Sequence, residues 1–423
     1  VICWAVWAQI DEDETDDANE MPAIEWNVNS LPTSLISIQQ QLARLKANEV
    51  SVKQELKNLL KSQRKSTEEL TDLKMWKKKV TDRFRRIVAN NDYRAGNAEH
   101  GWTKTFNFTT KPEVEESWSP RIAIYGDLGL INGVSIPFIN KQVAEGAYDA
   151  IFHVGDISYN LDSLNGQIGD EFFRQMETAM ASLPYQMTVG NHESASNFSQ
   201  YVSRFTMIDQ KSGSVNNHFY SFNIGPVHVV AFSSEFYYFT QYGSMQIHNQ
   251  FEWLEADLKE ANKPENKAKR PWLIVAGHRP MYCSSVDHDD CTDNESILRK
   301  GIPIVQKYGL EDLFYRYGVD IIIGAHEHTY ERLFPVYDRQ VFNGSAEEPY
   351  RNPKAPIHLL VGSAGCQEEV DPFVSKPEHW SAKRISDYGI TEFHVLNKTH
   401  IRNGQVVDAV TLIKEKHGPE AWL

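Results

Sequence analysis

Apolar positions along the chain follow two patterns with different periods. In the C-terminal part, short continuous apolar runs occur at about residues 121–126, 150–155, 186–190, 227–232, 272–277, 319–324 and 357–362. Such runs, most of them closed by glycine, predict strands buried on both faces. Between them, apolar residues return every three or four positions over Ile136–Glu145, Asp170–Ser182, Gln246–Ala261 and Leu310–Tyr317. That spacing predicts helices. Strand and helix alternate, so the expectation for residues 118–415 is an α/β fold.

Upstream the pattern is helical for much longer. Ile38, Leu42, Leu45, Val52, Leu56, Leu59, Leu70, Leu73, Val80, Phe84 and Ile87 keep a 3-4 spacing, with no Pro or Gly inside. Glu49, Gln63, Ser66 and Lys77 interrupt the seam, while Lys, Glu and Arg fill the outer positions. Residues 37–89 therefore read as a coiled-coil helix that offers homo-oligomerisation and no chemistry. A single amphipathic helix lying on the domain surface is the alternative. Residues 1–36, with the acidic run Asp11–Glu20, read as disordered. Residues 90–117 read as an Asn-rich polar linker followed by one alternating strand, Trp102–Thr109.

Polar residues of ligand type stand where the predicted strands stop. These are Asp127 after Gly126, Asp156 and Tyr159 after Gly155, Asn191 and His192 after Gly190, His278 after Gly277, and His326 and His328 after Gly324. A carboxylate at the C-terminal end of a strand faces the crevice where α/β sheets place their chemistry. Asp156 has two oxygens and can bridge two cations. A Tyr159 phenolate is a hard anionic donor, suited to trivalent iron rather than zinc. Residues two apart in extended chain share a side, so His326 and His328 can reach adjacent ions. One such ending is ordinary turn chemistry; five in one chain read as a metal site. His153, His228 and His358 fall within strand patterns and read as core or as residues packed behind the ligands.

Composition narrows the setting. The formal net charge of −14 over 423 residues argues against a general nucleic-acid binder. No run of about eighteen apolar residues occurs, so no membrane span is expected. Cys283 and Cys291 lie in a polar loop and fit a short disulfide, while Cys3 and Cys366 have no evident partner; four free thiols are the alternative. Asn-x-Ser/Thr acceptors at Asn107, Asn197, Asn294, Asn343 and Asn397 lean towards a secretory route, secreted or lysosomal. The apolar start Val1–Ala8 reads as the tail of a signal peptide or the cut end of a fragment.

The strand-end motifs, in order, are Gly126-Asp-Leu-Gly129, Gly155-Asp-Ile-Ser-Tyr159, Gly190-Asn-His-Glu193, Val275-Ala-Gly-His278 and Gly324-Ala-His-Glu-His328. This set resembles the five-part signature of the purple acid phosphatases within the calcineurin-like metallophosphoesterases. His278-Arg-Pro-Met-Tyr-Cys-Ser, the stretch Tyr308–Asp320 and Val361-Gly-Ser-Ala-Gly-Cys366 are similar to the long animal form. The resemblance covers about residues 101–410. It implies a four-layer metallophosphoesterase sandwich, two mixed sheets flanked by helices, here preceded by the coiled-coil-type helix. It also implies a β-sandwich domain before the catalytic one, of which only the strand at 102–109 is recognisable.

The resemblance further implies a binuclear acid phosphatase. Iron(III) would take Asp127, Asp156, Tyr159 and His328; a divalent zinc, iron or manganese would take Asp156, Asn191, His278 and His326. Two metals about 3.5–4 Å apart clamp the attacking and leaving oxygens of an in-line displacement at phosphorus. The implied nucleophile is a metal-held hydroxide, which persists in mildly acidic solution, so an acid optimum is expected. Gly129 stands where many relatives carry a histidine ligand, and Tyr159 replaces it. His192 is expected to contact the phosphate or protonate the leaving alkoxide, and His288, in the 283–302 loop, to share that work. The substrate would be a small phosphate monoester. A phosphodiesterase or nucleotide pyrophosphatase on the same ligands is one alternative. A coiled-coil scaffold with an inert phosphatase domain is the other.

Overall fold

The computed structural model describes residues 90–112, 117–286, 291, 296–398, 400–403 and 407–422. The acidic N-terminus, the heptad-patterned helix, Cys3 and His288 lie outside the described residues.

Thirteen strands build two mixed sheets. They are β1 (Arg121–Tyr125), β2 (Ala150–Val154), β3 (Tyr185–Thr188), β4 (Tyr220–Ile224), β5 (Val227–Ala231), β6 (Trp272–Ala276) and β7 (Ile321–Gly324). The remainder are β8 (Tyr330–Leu333), β9 (Ile357–Val361), β10 (Ser381–Ile385), β11 (Thr391–Asn397), β12 (His400–Asn403) and β13 (Val410–Ile413). One sheet runs β13-β12-β11-β1-β2-β3 and the other β10-β8-β9-β7-β6-β5-β4. One end of the first sheet, β1-β2-β3, and the centre of the second, β5-β6-β7-β9, are parallel; the remaining pairings are antiparallel.

The parallel strands read as continuous apolar runs because both their faces are buried. Along β6, Trp272, Ile274 and Ala276 join the core between the sheets, with Ile122, Phe152 and Phe393 from the other sheet. Leu273 and Val275 face the opposite way, onto Leu254 and Leu258 of the helix Met245–Ala261 and Phe314 of the helix Leu310–Arg316. The helices Ile136–Ala144 and Gln167–Gln175 bury Ile139 and Phe172 in the core of the six-stranded sheet. Among the described residues no helix is long and apolar enough to cross a membrane.

The structure departs from the sequence pattern in three places. The helix expected over Asp170–Ser182 breaks at Met176 into Gln167–Gln175 and Glu177–Met180. Phe172, Met176 and Ala179 keep helical spacing through the break, so periodicity gives no sign of it. Strands β4, β8 and β10–β13 did not stand out, because half-buried strands such as β11 alternate apolar and polar side chains. The alternating stretch at 102–109 pairs through Phe106–Thr109 with Asn90–Tyr93, inside the Asn-rich stretch. Tyr93 packs on Phe106 and its hydroxyl donates to the Ala181 carbonyl at 2.7 Å, tying this hairpin to the α/β region. Cys283 and Cys291 are joined in a disulfide, and Cys366 is a buried free thiol.

A buried charge cluster locks the end of the sheet opposite the strand C-termini. Asp320, just before β7, accepts the Leu273 N–H at 2.9 Å and pairs with the buried Lys414 ammonium; His417 Nδ1 lies 3.2 Å away. Burial alone would raise the Asp320 carboxyl, but Lys414 and then His417 hold it far below the usual carboxylate range. A depressed native value means the contribution is present above the unfolded value of about 3.9 and fades as pH falls below it. Asp320→Asn leaves Lys414 buried without its counter-charge and is expected to cost about 3–5 kcal/mol at pH 7. Urea denaturation from pH 7 to pH 3 checks this, with the wild-type advantage shrinking only below about pH 4.

Candidate metal centre

Five strand C-termini converge on one crevice. Gly126 N–H donates to the Val361 carbonyl at 2.8 Å, joining the end of β1 to the end of β9 in the other sheet. Glycine makes the approach of the ligand residues possible. A Cβ on Gly190 would lie 2.2 Å from Asp156 Oδ1, and one on Gly155, at φ +80, would lie 2.5 Å from His278 Nδ1. Asp127, Asp156, Tyr159 and His326 themselves adopt positive φ (55, 49, 50 and 70). Side chains other than glycine pay of order 1–3 kcal/mol for sparsely populated backbone conformations, which persist where the surroundings enforce them.

Two donor groups result. In the first, Tyr159 Oη donates to Asp127 Oδ1 at 3.0 Å and lies 2.8 Å from His328 Nε2, itself 3.7 Å from Asp127 Oδ1. In the second, His278 Nε2 sits 3.1 Å from both Asp156 Oδ2 and Asn191 Oδ1. His326 completes it, its donor atom within 4.8 Å of those of Asp156 and His278. The structure thus brings together all seven residues singled out as ligands.

The imidazoles are oriented for coordination. His278 Nδ1–H donates to the Val154 carbonyl at 2.9 Å and His328 Nδ1–H to the Glu369 carbonyl at 3.0 Å. Each turns its Nε2 towards the carboxylates, where a metal would displace any proton on it. The His328 N–H also donates to Asp371 at 2.6 Å, and the His326 N–H to Asp127 Oδ2 at 2.9 Å.

Electrostatics ask for a cation here. Burial pushes the Asp127 carboxyl well above its usual range, with Asp156 adding to the rise. Burial acts the same way on Asp156, but His278 and His192 outweigh it and hold that carboxyl below its usual range. His278 would be lowered by burial; Asp156 and Asp127 instead raise it to about 10. Two neighbouring buried carboxylates are costly to keep charged together, and a metal cation held between them would remove that cost. Oxygen-rich donors with a phenol suit a hard trivalent ion, and the imidazole-richer group suits a borderline divalent one. The residues present fit a metal pair.

Around the donors lie residues that sequence reading did not single out. Buried Glu193 accepts from the N–H groups of Asp156, Ile157 and Gly190 at 2.9–3.0 Å, clamping two ligand turns together. Burial and Asp156 push its carboxyl up to about 8. Arg279 Nη1 reaches His326 Nε2 at 2.8 Å, its Nε lies 3.2 Å from both Glu235 oxygens, and its guanidinium stacks 4.2 Å over Tyr238. Glu368 stands 3.5 Å from His192 Nε2 and 3.9 Å from His328 Nε2. The signals available were adjacency to His192 and His278, and a further Gly-rich strand end at Val361–Gly365.

His192 packs on the Tyr159 ring at 4.2 Å between centroids; its Nδ1 donates to Asn160 Oδ1 at 2.6 Å and its Nε2 lies 4.0 Å from Asp156 Oδ2. His288 lies outside the described residues. His153 hydrogen-bonds Tyr185 at 2.8 Å, His228 pairs with Asp257 at 2.7 Å, and His358 is buried and pushed down to about 3 by burial.

A calcineurin-like phosphoesterase family model matches residues 120–330, and an iron/zinc purple acid phosphatase-like C-terminal model matches residues 355–410. The chain is 50% identical to zebrafish (Danio rerio) acid phosphatase type 7 over 348 residues, covering 80% of this chain and 77% of that one. It is 48% identical to the human (Homo sapiens) protein of that name, covering 78% and 75%. Among solved structures it is similar in fold to a purple acid phosphatase from yellow lupin (Lupinus luteus) seeds, with a TM-score of 0.60 at 21% identity, covering 77% of this chain and 59% of the lupin chain. With half its residues shared over most of an animal relative, and its strand-end donors gathered at one crevice, the chain belongs to the purple acid phosphatases of the calcineurin-like phosphoesterase family.

Proposed function

We propose that this chain hydrolyses small phosphate monoesters at a metal pair. Iron(III) is held by Asp127, Asp156, Tyr159 and His328, and a divalent zinc, iron or manganese ion by Asp156, Asn191, His278 and His326. One observation carries the reading: two buried donor groups lie side by side, linked where the His326 N–H donates to Asp127 Oδ2, one containing a phenol and the other, with Asp156, richer in imidazole. When bound, the metals supply Lewis acidity and an acidified water as nucleophile.

The chain's own residues do the rest. The Val154 and Glu369 carbonyls fix the tautomers of His278 and His328. Asn160 fixes the His192 ring, so its Nε2 is placed to donate to a phosphate oxygen or to the departing alkoxide. His288, from the 283–302 loop, is proposed to share the contact to the phosphate or the leaving group.

The test is metal analysis, a visible spectrum and hydrolysis rates on purified protein. The expected result is one iron and one divalent ion per chain, with aryl monoesters cleaved faster than the matching diesters. Faster diester cleavage, or full turnover after exhaustive chelation, would overturn it.

Two further parts of the reading rest on other features. The disulfide and exposed Asn107, Asn197 and Asn397 support a secreted or lysosomal glycoprotein. The heptads over 37–89 support self-association. Removing residues 1–89, which spares the hairpin at 90–109, is expected to give a monomer with most of its specific activity; light scattering and an ester assay check both.

A further inference from the structure

Behind the turn that carries His192 lies a cavity of about 460 Å³ that the chemistry does not use. Its volume is that of a site for a small organic molecule, which falls at roughly 300–1,000 Å³. Phe239 and Tyr242 stack with ring planes 13° apart, and Phe198 meets both edge-on. One wall carries His218, whose Nδ1 is buried with no hydrogen-bond partner. Burial pushes the His218 ring down to about 4, so it is neutral above that pH and keeps a lone pair.

The lining also contains Asn197, exposed and at φ 58 within a left-handed run Ser196-Asn197-Phe198. Asn197-Phe198-Ser199 is an acceptor for N-linked sugar. A pyranose has an apolar C–H face that packs on aromatic rings, and an N-acetyl N–H that needs an acceptor. The rings of Phe239 and Tyr242 offer the first, and Ser203 and Gln246, which also line the cavity, carry oxygens that can accept.

We propose that Asn197 carries an N-linked glycan whose first N-acetylglucosamine seats in this aromatic cavity. This rests on the secretory part of the proposed function and not on the metal chemistry. In the transfer, Asn197 Nδ2 bonds to C1 of the sugar and loses one proton. The bond from C1 to the diphosphate of an oligosaccharide-diphospholipid donor breaks, and the lipid diphosphate leaves with that electron pair.

The test uses the full chain expressed through the secretory route. Glycopeptide mass spectrometry gives occupancy at Asn197, Asn107 and Asn397. Release by a glycan-cleaving amidase is then timed on native and on denatured protein. In the native protein the Asn197 glycan is expected to be released at least about tenfold more slowly than the Asn107 glycan, which stands on the exposed hairpin. Denaturation removes the difference. Joint Phe239→Ala and Tyr242→Ala substitution brings Asn197 to the Asn107 rate, while wild-type native and denatured rates decide the matter should that variant fail to fold. Equal native rates, or an empty Asn197 beside an occupied Asn107 or Asn397, overturn the proposal alone. Empty acceptors at all three overturn the secretory reading with it.

Discussion

Asp156→Asn is expected to lower kcat/KM for a phosphate monoester by at least about 10³-fold, or about 4 kcal/mol in transition-state free energy. The substitution keeps the shape and one carbonyl oxygen, so the His192 N–H that now donates to Oδ1 at 2.9 Å keeps an acceptor. What disappears is the one charge facing His278, His192 and His326 together. A neutral amide cannot serve as the anionic ligand common to two cations, so both metals are expected to fall in occupancy. Metal analysis separates this from a fold defect. The variant should melt cooperatively with the secondary structure of the metal-stripped wild type. Retention of both metals, or a loss of activity below about tenfold, would mean that Asp156 does not join the two donor groups.

The parts of this centre legible in the sequence share one physical origin. A central parallel strand is apolar on both faces, so a polar residue at its end stands out, and the following glycine marks where a side chain must come close. Gly155 and Gly190 illustrate this: a Cβ at either would strike His278 or Asp156. Contacts between distant turns carry no such mark. Glu193 clamps Asp156, Ile157 and Gly190 through backbone N–H groups, which have no identity in a sequence. Arg279 reaches Glu235 and Tyr238 on one turn and His326 on another, and only the fold puts those together. Strands β10 to β13 escaped notice because strands with one wetter face, such as β11, mix polar and apolar side chains. The left-handed backbone at Tyr159 could not be foreseen either, since residues other than Gly, Asn and Asp rarely adopt it; Asp127 and Asp156 are of a type that tolerates it, but nothing in the sequence marks them out.

Tyr159→Phe tests the identity of the first metal. The Tyr159 hydroxyl lies between Asp127 Oδ1 and His328 Nε2, and its ring packs against His192. Burial, with Asp127 and Asp156 adding to it, pushes the phenol well above its usual range, so it is protonated in the arrangement described here. A divalent ion gives little drive to displace that proton; a trivalent iron next to two carboxylates gives far more. A bound phenolate then donates charge to iron on absorbing visible light, and the protein is coloured. The phenylalanine variant keeps the packing and removes one oxygen, so the expected result is a folded, colourless protein with depleted iron and activity lowered in proportion. Asn191→Ala is the matching control. It acts on the other donor group, so activity should fall while the visible band survives, shifted in position at most. Spectra and metal content of wild type and both variants decide between the outcomes. A colourless wild type holding two zinc ions, or a Tyr159→Phe protein with its visible band intact, would show that the phenol is not an iron ligand.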